Sequence, residues 1–216
     1  MRALGANAIL VALAGLMLTG AVCAQETVDR IVAVVESDII LMSDVQALAR
    51  YQVFVDGKSE TDAQILDRLI DQWIVRNEAK AVLFPQPSDA EVKRSLVRLT
   101  RAFSSPEAFE ERKKQSGLTD EDIDRMLRDT LYLSNYLDSR FRASIQIDDK
   151  EIEQFYQQRI VPRAESRGQT PPTLEAAQGF IREALVQRAI NEQADRWLKE
   201  SRARVRVENL LNEQPK

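Results

Sequence analysis

The sequence predicts a mainly α fold: a helical core with a small β-sheet formed by an N-terminal hairpin and a C-terminal strand. Three observations predict it. Glycine and proline are scarce, 7 each in 216 residues, and aromatic residues make up 6%, which favours long helices over turn-rich β architecture. Apolar residues recur at spacings of three and four behind Ser, Thr or Asp residues placed to cap helices. β-Branched runs stand near Ile31 and near Val205; a lone strand has no hydrogen-bond partner, so the two regions are expected to join.

Each element follows in order. Ile31 to Val35 is a β-branched run, Glu36-Ser37-Asp38 a polar break and Ile39-Ile40-Leu41 a second apolar run, the pattern of a short hairpin. Ser43 is the expected cap of a helix that carries Asp44 in its first turn, runs to about Phe54 and stops at Asp56-Gly57. From Thr61, the residues Ile65, Leu66, Leu69, Ile70, Trp73 and Ile74 fall on one side of a long helix that is expected to end near Phe84, where Pro85 and Pro87 forbid continuation. Ser88-Asp89-Ala90-Glu91 is a capping box ahead of the stripe Val92, Leu96, Leu99. Ser105-Pro106 starts and Gly117 stops a short helix holding Phe109.

Thr119-Asp120-Glu121-Asp122 opens the most regular helix, with Ile123, Met126, Leu127, Leu131, Leu137 and Phe141 at helical spacing. Its acidic start complements the helix dipole and is not read as a metal site. Asp148 to Glu151 repeats the capping signature before Ile152, Phe155 and Tyr156. Arg159 to Pro172 is mixed in charge and poor in apolar residues, and it contains Pro162, Gly168 and Pro171-Pro172, the composition of a linker. Thr173 then caps a final long helix with Ile181, Leu185, Ala189, Ala194, Trp197 and Leu198 as its inner positions, before the strand-like Val205-Arg206-Val207.

Composition excludes much chemistry. There is no histidine, and Cys23 is the single cysteine. Cys/His zinc sites, Ser-His-Asp and Cys-His nucleophile systems and histidine acid-base catalysis are thereby ruled out. No cofactor is expected, since phosphate-binding glycine loops, calcium loops and dinucleotide fingerprints are missing from the sequence. The balance of 30 basic against 34 acidic residues disfavours nucleic acid, which selects a clustered basic face. Arg2, the apolar run Ala8 to Leu18 and the small-residue exit Val22-Cys23-Ala24 read as a secretory signal cleaved after Ala24. An exported, soluble protein with no stable membrane insertion is then expected. The expected division is 1–24 signal, 25–158 helical domain, 159–172 linker and 173–216 C-terminal helix and strand packing back on the core.

The order of these parts resembles the SurA-like periplasmic chaperone family. Val28-Asp29-Arg30-Ile31-Val32-Ala33-Val34-Val35 with Ile39-Ile40-Leu41-Met42-Ser43-Asp44-Val45 looks like the family's opening segment. Ile65 to Ile74 is similar to its following long helix, Ser88-Asp89-Ala90-Glu91-Val92 to the next helix start, and Phe141 to Ile147 with Glu151 to Gln158 to the close of its N-terminal region. Trp197 to Val207 looks like its C-terminal helix and strand. The resemblance implies a chaperone core whose partners are unfolded or partly folded polypeptides. In the family, parvulin-type prolyl isomerase domains usually separate these two regions. Here Arg159 to Pro172 holds that place, too short for a domain, and the histidine characteristic of parvulin sites is missing, so no enzyme activity is expected.

A holdase needs only apolar surface that an unfolded chain can reach. The aromatic residues outside the main helical stripes are the candidate peptide-binding residues: Phe103, Phe109, Tyr132, Tyr136, Phe155 and Tyr156. Two other readings stand beside this one: a prolyl isomerase with residual activity, and an adaptor subunit that binds one folded envelope partner.

Overall fold

A computed structural model describes residues 29–212; the expected signal segment and its exit after Ala24 lie outside them. The fold is mainly α with one three-stranded antiparallel sheet, as the sequence predicts. β1 (Ile31–Val35) and β2 (Asp38–Leu41) form the hairpin, and β3 (Val207–Asn209) pairs with the other edge of β1. Val34 therefore lies between Ile39 and Glu208. β3 begins two residues later than Val205, because the preceding helix runs to Arg202 and is followed by turn bonds from Arg204 N–H to Ser201 O (3.0 Å) and from Val205 N–H to Arg202 O (3.3 Å).

The helices are α1 (Met42–Asp56), α2 (Asp62–Ala81), α3 (Asp89–Arg101), α4 (Pro106–Ser116), α5 (Asp120–Phe141), α6 (Asp149–Phe155), α7 (Val161–Glu165) and α8 (Leu174–Arg202). Thr61, Ser88, Ser105, Thr119, Asp148 and Thr173 each accept a backbone N–H at the start of one of them. Gly57 and Gly117, both in the left-handed region, end α1 and α4.

Three boundaries differ from the sequence reading. Ser43 does not cap α1: the helix starts at Met42, the Asp44 carboxylate accepts the Leu41 N–H (2.9 Å), and the Ser43 N–H turns back to Asp29 (3.2 Å). α2 stops at Ala81, short of Phe84, because Leu83 takes the left-handed conformation (φ 54°) while the Phe84 N–H reaches back to Ala79 O (2.9 Å). A leucine there costs about 1–2 kcal/mol of backbone strain. Residues 159–172, read as linker, are helical as far as Glu165: a π-helical turn, Tyr156–Ile160, joins α6 to α7. The Val161 N–H bonds five residues back to Tyr156 O, and this change of register places Pro162, which has no N–H to give, at the opening of α7.

Four apolar clusters hold these parts. The largest lies under the sheet and joins Val32, Val35 and Val45 to Ile65, Leu66 and Ile70 of α2, with Leu211 closing it from the C-terminal side. The second gathers Phe54, Val92, Phe109, Leu118, Ile123 and Leu127 between α1, α3, α4 and α5. The third sets Val75 and Ala79 against Tyr132, Leu133 and Tyr136. The fourth, Ile152, Ala177 and Ile181, lies where α6 meets the first half of α8. α8 has 29 residues, about 44 Å at the helical rise, and so reaches from this satellite cluster to the sheet.

Candidate functional site

α1 and α2 are joined by a short loop and pack side by side, α5 packs on α2, and α3 packs on α5. Between them run two adjoining depressions of about 330 and about 880 Å³ that share Leu48 and Gln72 as lining residues. The smaller begins at β2, where Ile39 is 53% exposed, and passes Leu69, Trp73 and Met126. The larger continues past Tyr51, Val55 and Leu99. Together they form a groove whose apolar residues, Ile39, Leu48, Tyr51, Val55, Leu69, Trp73, Leu99 and Met126, alternate with polar and charged ones, which predominate in the larger depression.

Its position follows from how α2 is buried. Ile65, Val75 and Ala79 are sealed on one side of the helix and Leu66, Ile70 and Ile74 on the other. Leu69 and Trp73 fall between these two sets on the helical wheel, yet stay half-exposed because the groove runs over them. The Trp73 indole N–H donates to the Asp38 carboxylate (2.8 Å), which fixes the ring against β2.

The walls carry polar groups held in place. Arg76 pairs with Asp129 (3.3 Å) and ties α2 to α5 beside the smaller depression. Arg68 grips Glu60 through two bonds of 2.5 and 2.6 Å, and Gln52 donates to the same carboxylate (3.2 Å), which holds the Glu60 carboxyl below its usual range. Burial first, and the Asp56 charge second, push the Tyr51 phenol up, so it stays a neutral hydrogen-bonding group. Gln64 and Gln72 add side-chain amides to the lining. Such a surface can take apolar side chains on its floor and offer donors and acceptors to a backbone at its rim.

The six aromatic candidates lie elsewhere, in three separate clusters. Phe103 and Phe109 stack around Phe54, with ring centroids 5.2 to 5.3 Å apart; Phe109 is buried and Phe103 half-buried. Tyr132 and Tyr136 are buried against Phe84 (6.0 and 5.5 Å). Phe155 and Tyr156 are half-buried in the satellite cluster, where the Tyr156 hydroxyl donates to Pro172 O (2.6 Å). None of the six lines the groove between α1, α2 and α5. Of the groove residues, Leu69, Trp73, Leu99 and Met126 read from the sequence as ordinary inner positions of their helices, and Leu48 and Tyr51 carry no sequence signal of a site.

No protein-family profile matches the chain. One curated protein does: Chaperone SurA of Pseudomonas syringae pv. tomato is 27% identical over 155 residues, covering 66% of this chain and 36% of that protein. The chain is similar to a chaperone. It spans little more than a third of the relative's length. Among the described residues, no helix is long and apolar enough to cross a membrane, and no cluster of carboxylates is arranged to hold a metal ion.

Proposed function

We propose that this protein is a periplasmic holdase-type chaperone that binds unfolded outer-membrane or secreted polypeptides along the groove between α1, α2 and α5, without catalysis. The observation that carries the reading is the groove itself: Leu69 and Trp73 pack against the sheet cluster in the middle of a buried helix face and still keep part of their surface open to the groove. An unfolded segment covers that surface with apolar side chains while Gln64, Gln72 and the rim charges meet its backbone. The likeness to a chaperone supports the same reading. Phe103, Phe155 and Tyr156, half-buried, supply further contacts, whereas Phe109, Tyr132 and Tyr136 serve as packing. Residues 156–173 between α6 and α8 hold a π turn, α7 and a loop, a segment too short to fold as a further domain.

The test is suppression of aggregation of an unfolded β-barrel polypeptide by the purified protein, followed by light scattering. Protection at near-stoichiometric ratio is expected, with a change in Trp73 fluorescence as client is added. Unchanged aggregation at a clear excess of the protein removes the proposal. In a peptide assay, cis/trans exchange is expected to keep its uncatalysed rate, tens to hundreds of seconds.

A further inference from the structure

α3 is attached to the fold along one edge. Val92 is its only buried side chain, and Leu99 packs beside it. Helical spacing puts Lys93, Arg94, Arg98 and Arg101 on the opposite face, around Val97, which is 49% exposed. All four cations are exposed, and among the described residues none forms an ion pair or a side-chain hydrogen bond. The neighbouring carboxylates, by contrast, are engaged. Asp89 pairs with Arg128 (3.1 Å), Glu91 accepts from the Ser88 N–H and hydroxyl (2.8 and 2.6 Å), and Glu110 and Asp120 share Lys113 (2.8 and 2.6 Å).

In a chain with more acid than base, the outer face of this helix thus gathers four cations that form no ion pair among the described residues. Arg94 and Arg98 are also one helical turn apart, a like-charge spacing that works against the helix. The loop leading into α3 adds a second, independent feature. Leu83 is 89% exposed and Val82 63% exposed, and Leu83 is held in its left-handed conformation by the bond from the Phe84 N–H to Ala79 O. Two large apolar side chains are therefore presented to solvent at a cost in backbone strain.

We infer that the outer face of α3 and the Val82-Leu83 knob dock the protein on an anionic phospholipid surface. Headgroup phosphates neutralise the four cations while Val97 and the knob enter the boundary of the acyl region. The shape of the face favours a bilayer over an acidic peptide. The depression along α3 that could seat an extended chain is lined by Leu96, Thr100 and Phe109 together with Glu110 and Asp120, which repel acid, and by none of the four cations. The acidic remainder of the molecule turns away from such a membrane and orients this face towards it.

Flotation of the intact protein with vesicles tests the inference independently of client holding. Expected is binding to phosphatidylcholine vesicles containing phosphatidylglycerol, little binding to phosphatidylcholine alone, and release on going from about 0.05 M to about 0.5 M salt. Arg94→Glu/Arg98→Glu is expected to lower binding by about tenfold or more, and Leu83→Asp is expected to weaken it further, with helical circular dichroism and aggregation suppression unchanged. Equal binding to both vesicle types, equal binding by the Arg variant, or no binding to either vesicle overturns the inference. So does capture of poly-glutamate in preference to anionic vesicles, which assigns the face to an acidic polypeptide.

Discussion

The two halves of α8 are held in different ways. Its C-terminal half lies against the sheet cluster, where Ala194 and Ser201 are buried, Trp197 and Leu198 pack on α2 and α5, and Val32, Val35, Val45, Ile65 and Leu66 beneath are fully sealed. Its N-terminal half closes a cluster of only three buried residues, Ile152, Ala177 and Ile181. Here exposed polar bonds carry much of the attachment. Arg142 bridges Asp138 and Glu183 (both 2.7 Å), and Arg182 reaches Ile147 O (2.7 Å) and Asp149 (3.1 Å). One helix therefore joins a region fixed by a large apolar cluster to a region where a small cluster is supplemented by surface ion pairs, which salt and acid weaken.

Substitutions in each half separate the two mechanisms. Ile70→Ala, in the sheet cluster, is expected to cost about 3–5 kcal/mol of global stability and to lower the urea midpoint of the whole chain. Ile181→Ala removes the same atoms from a smaller cluster that can close around the gap, so about 2 kcal/mol is expected, with faster amide exchange confined to α6 and residues 174–187. Equal, global losses from both substitutions would merge the two regions into one cooperative unit. Thr173→Ala deletes the cap of α8 and is expected to cost about 1 kcal/mol, again read as local exchange at the helix start.

The smallest effect is the pH response, which differs in sign between the halves. Bonds to Arg142 pull the Glu183 carboxyl down to about 2 from an ordinary 4.5. A lowered folded value means that this stabilisation is present above pH 4.5 and is lost as pH falls towards 2. At the other end, Arg202 pairs with Asp67 and with Asp71 (3.3 Å). Burial raises the Asp71 carboxyl despite the Arg202 charge, so its ionisation works against folding as pH rises through the raised value. Acidification from pH 4.5 is expected to speed exchange in the first half of α8 before the second. Glu183→Gln should abolish that difference, and its persistence would assign the acid response to another group.

The local elements were legible because their signals are local. Thr61, Ser88, Ser105, Thr119, Asp148 and Thr173 mark helix starts through a side chain and an N–H three residues apart, and Gly57 and Gly117 mark helix ends through their own φ. Where a boundary depends on a distant partner, the pattern failed: the Ser43 N–H is taken by Asp29, fourteen residues away. At Pro162 a π turn supplies what a straight helix could not. The groove was hidden for a related reason. Leu69 and Trp73 have the same spacing as Ile70 and Ile74, and only the placement of α1, α3 and α5 leaves one pair open and seals the other.

By itself, the sequence determined the helical class, most helix starts, the pairing of the N-terminal hairpin with the C-terminal strand and the absence of histidine and cysteine chemistry beyond Cys23. These rest on residue identity and on spacings of a few residues, which need no fold to be read. Only the tertiary structure decided which apolar side chains stay open, which cations lack a counter-charge and which half of α8 is held by burial. Exposure and pairing belong to neighbours brought from far along the chain, as when Arg30 reaches Leu211 O at 2.9 Å across a separation of 181 residues, and no local pattern records who those neighbours are.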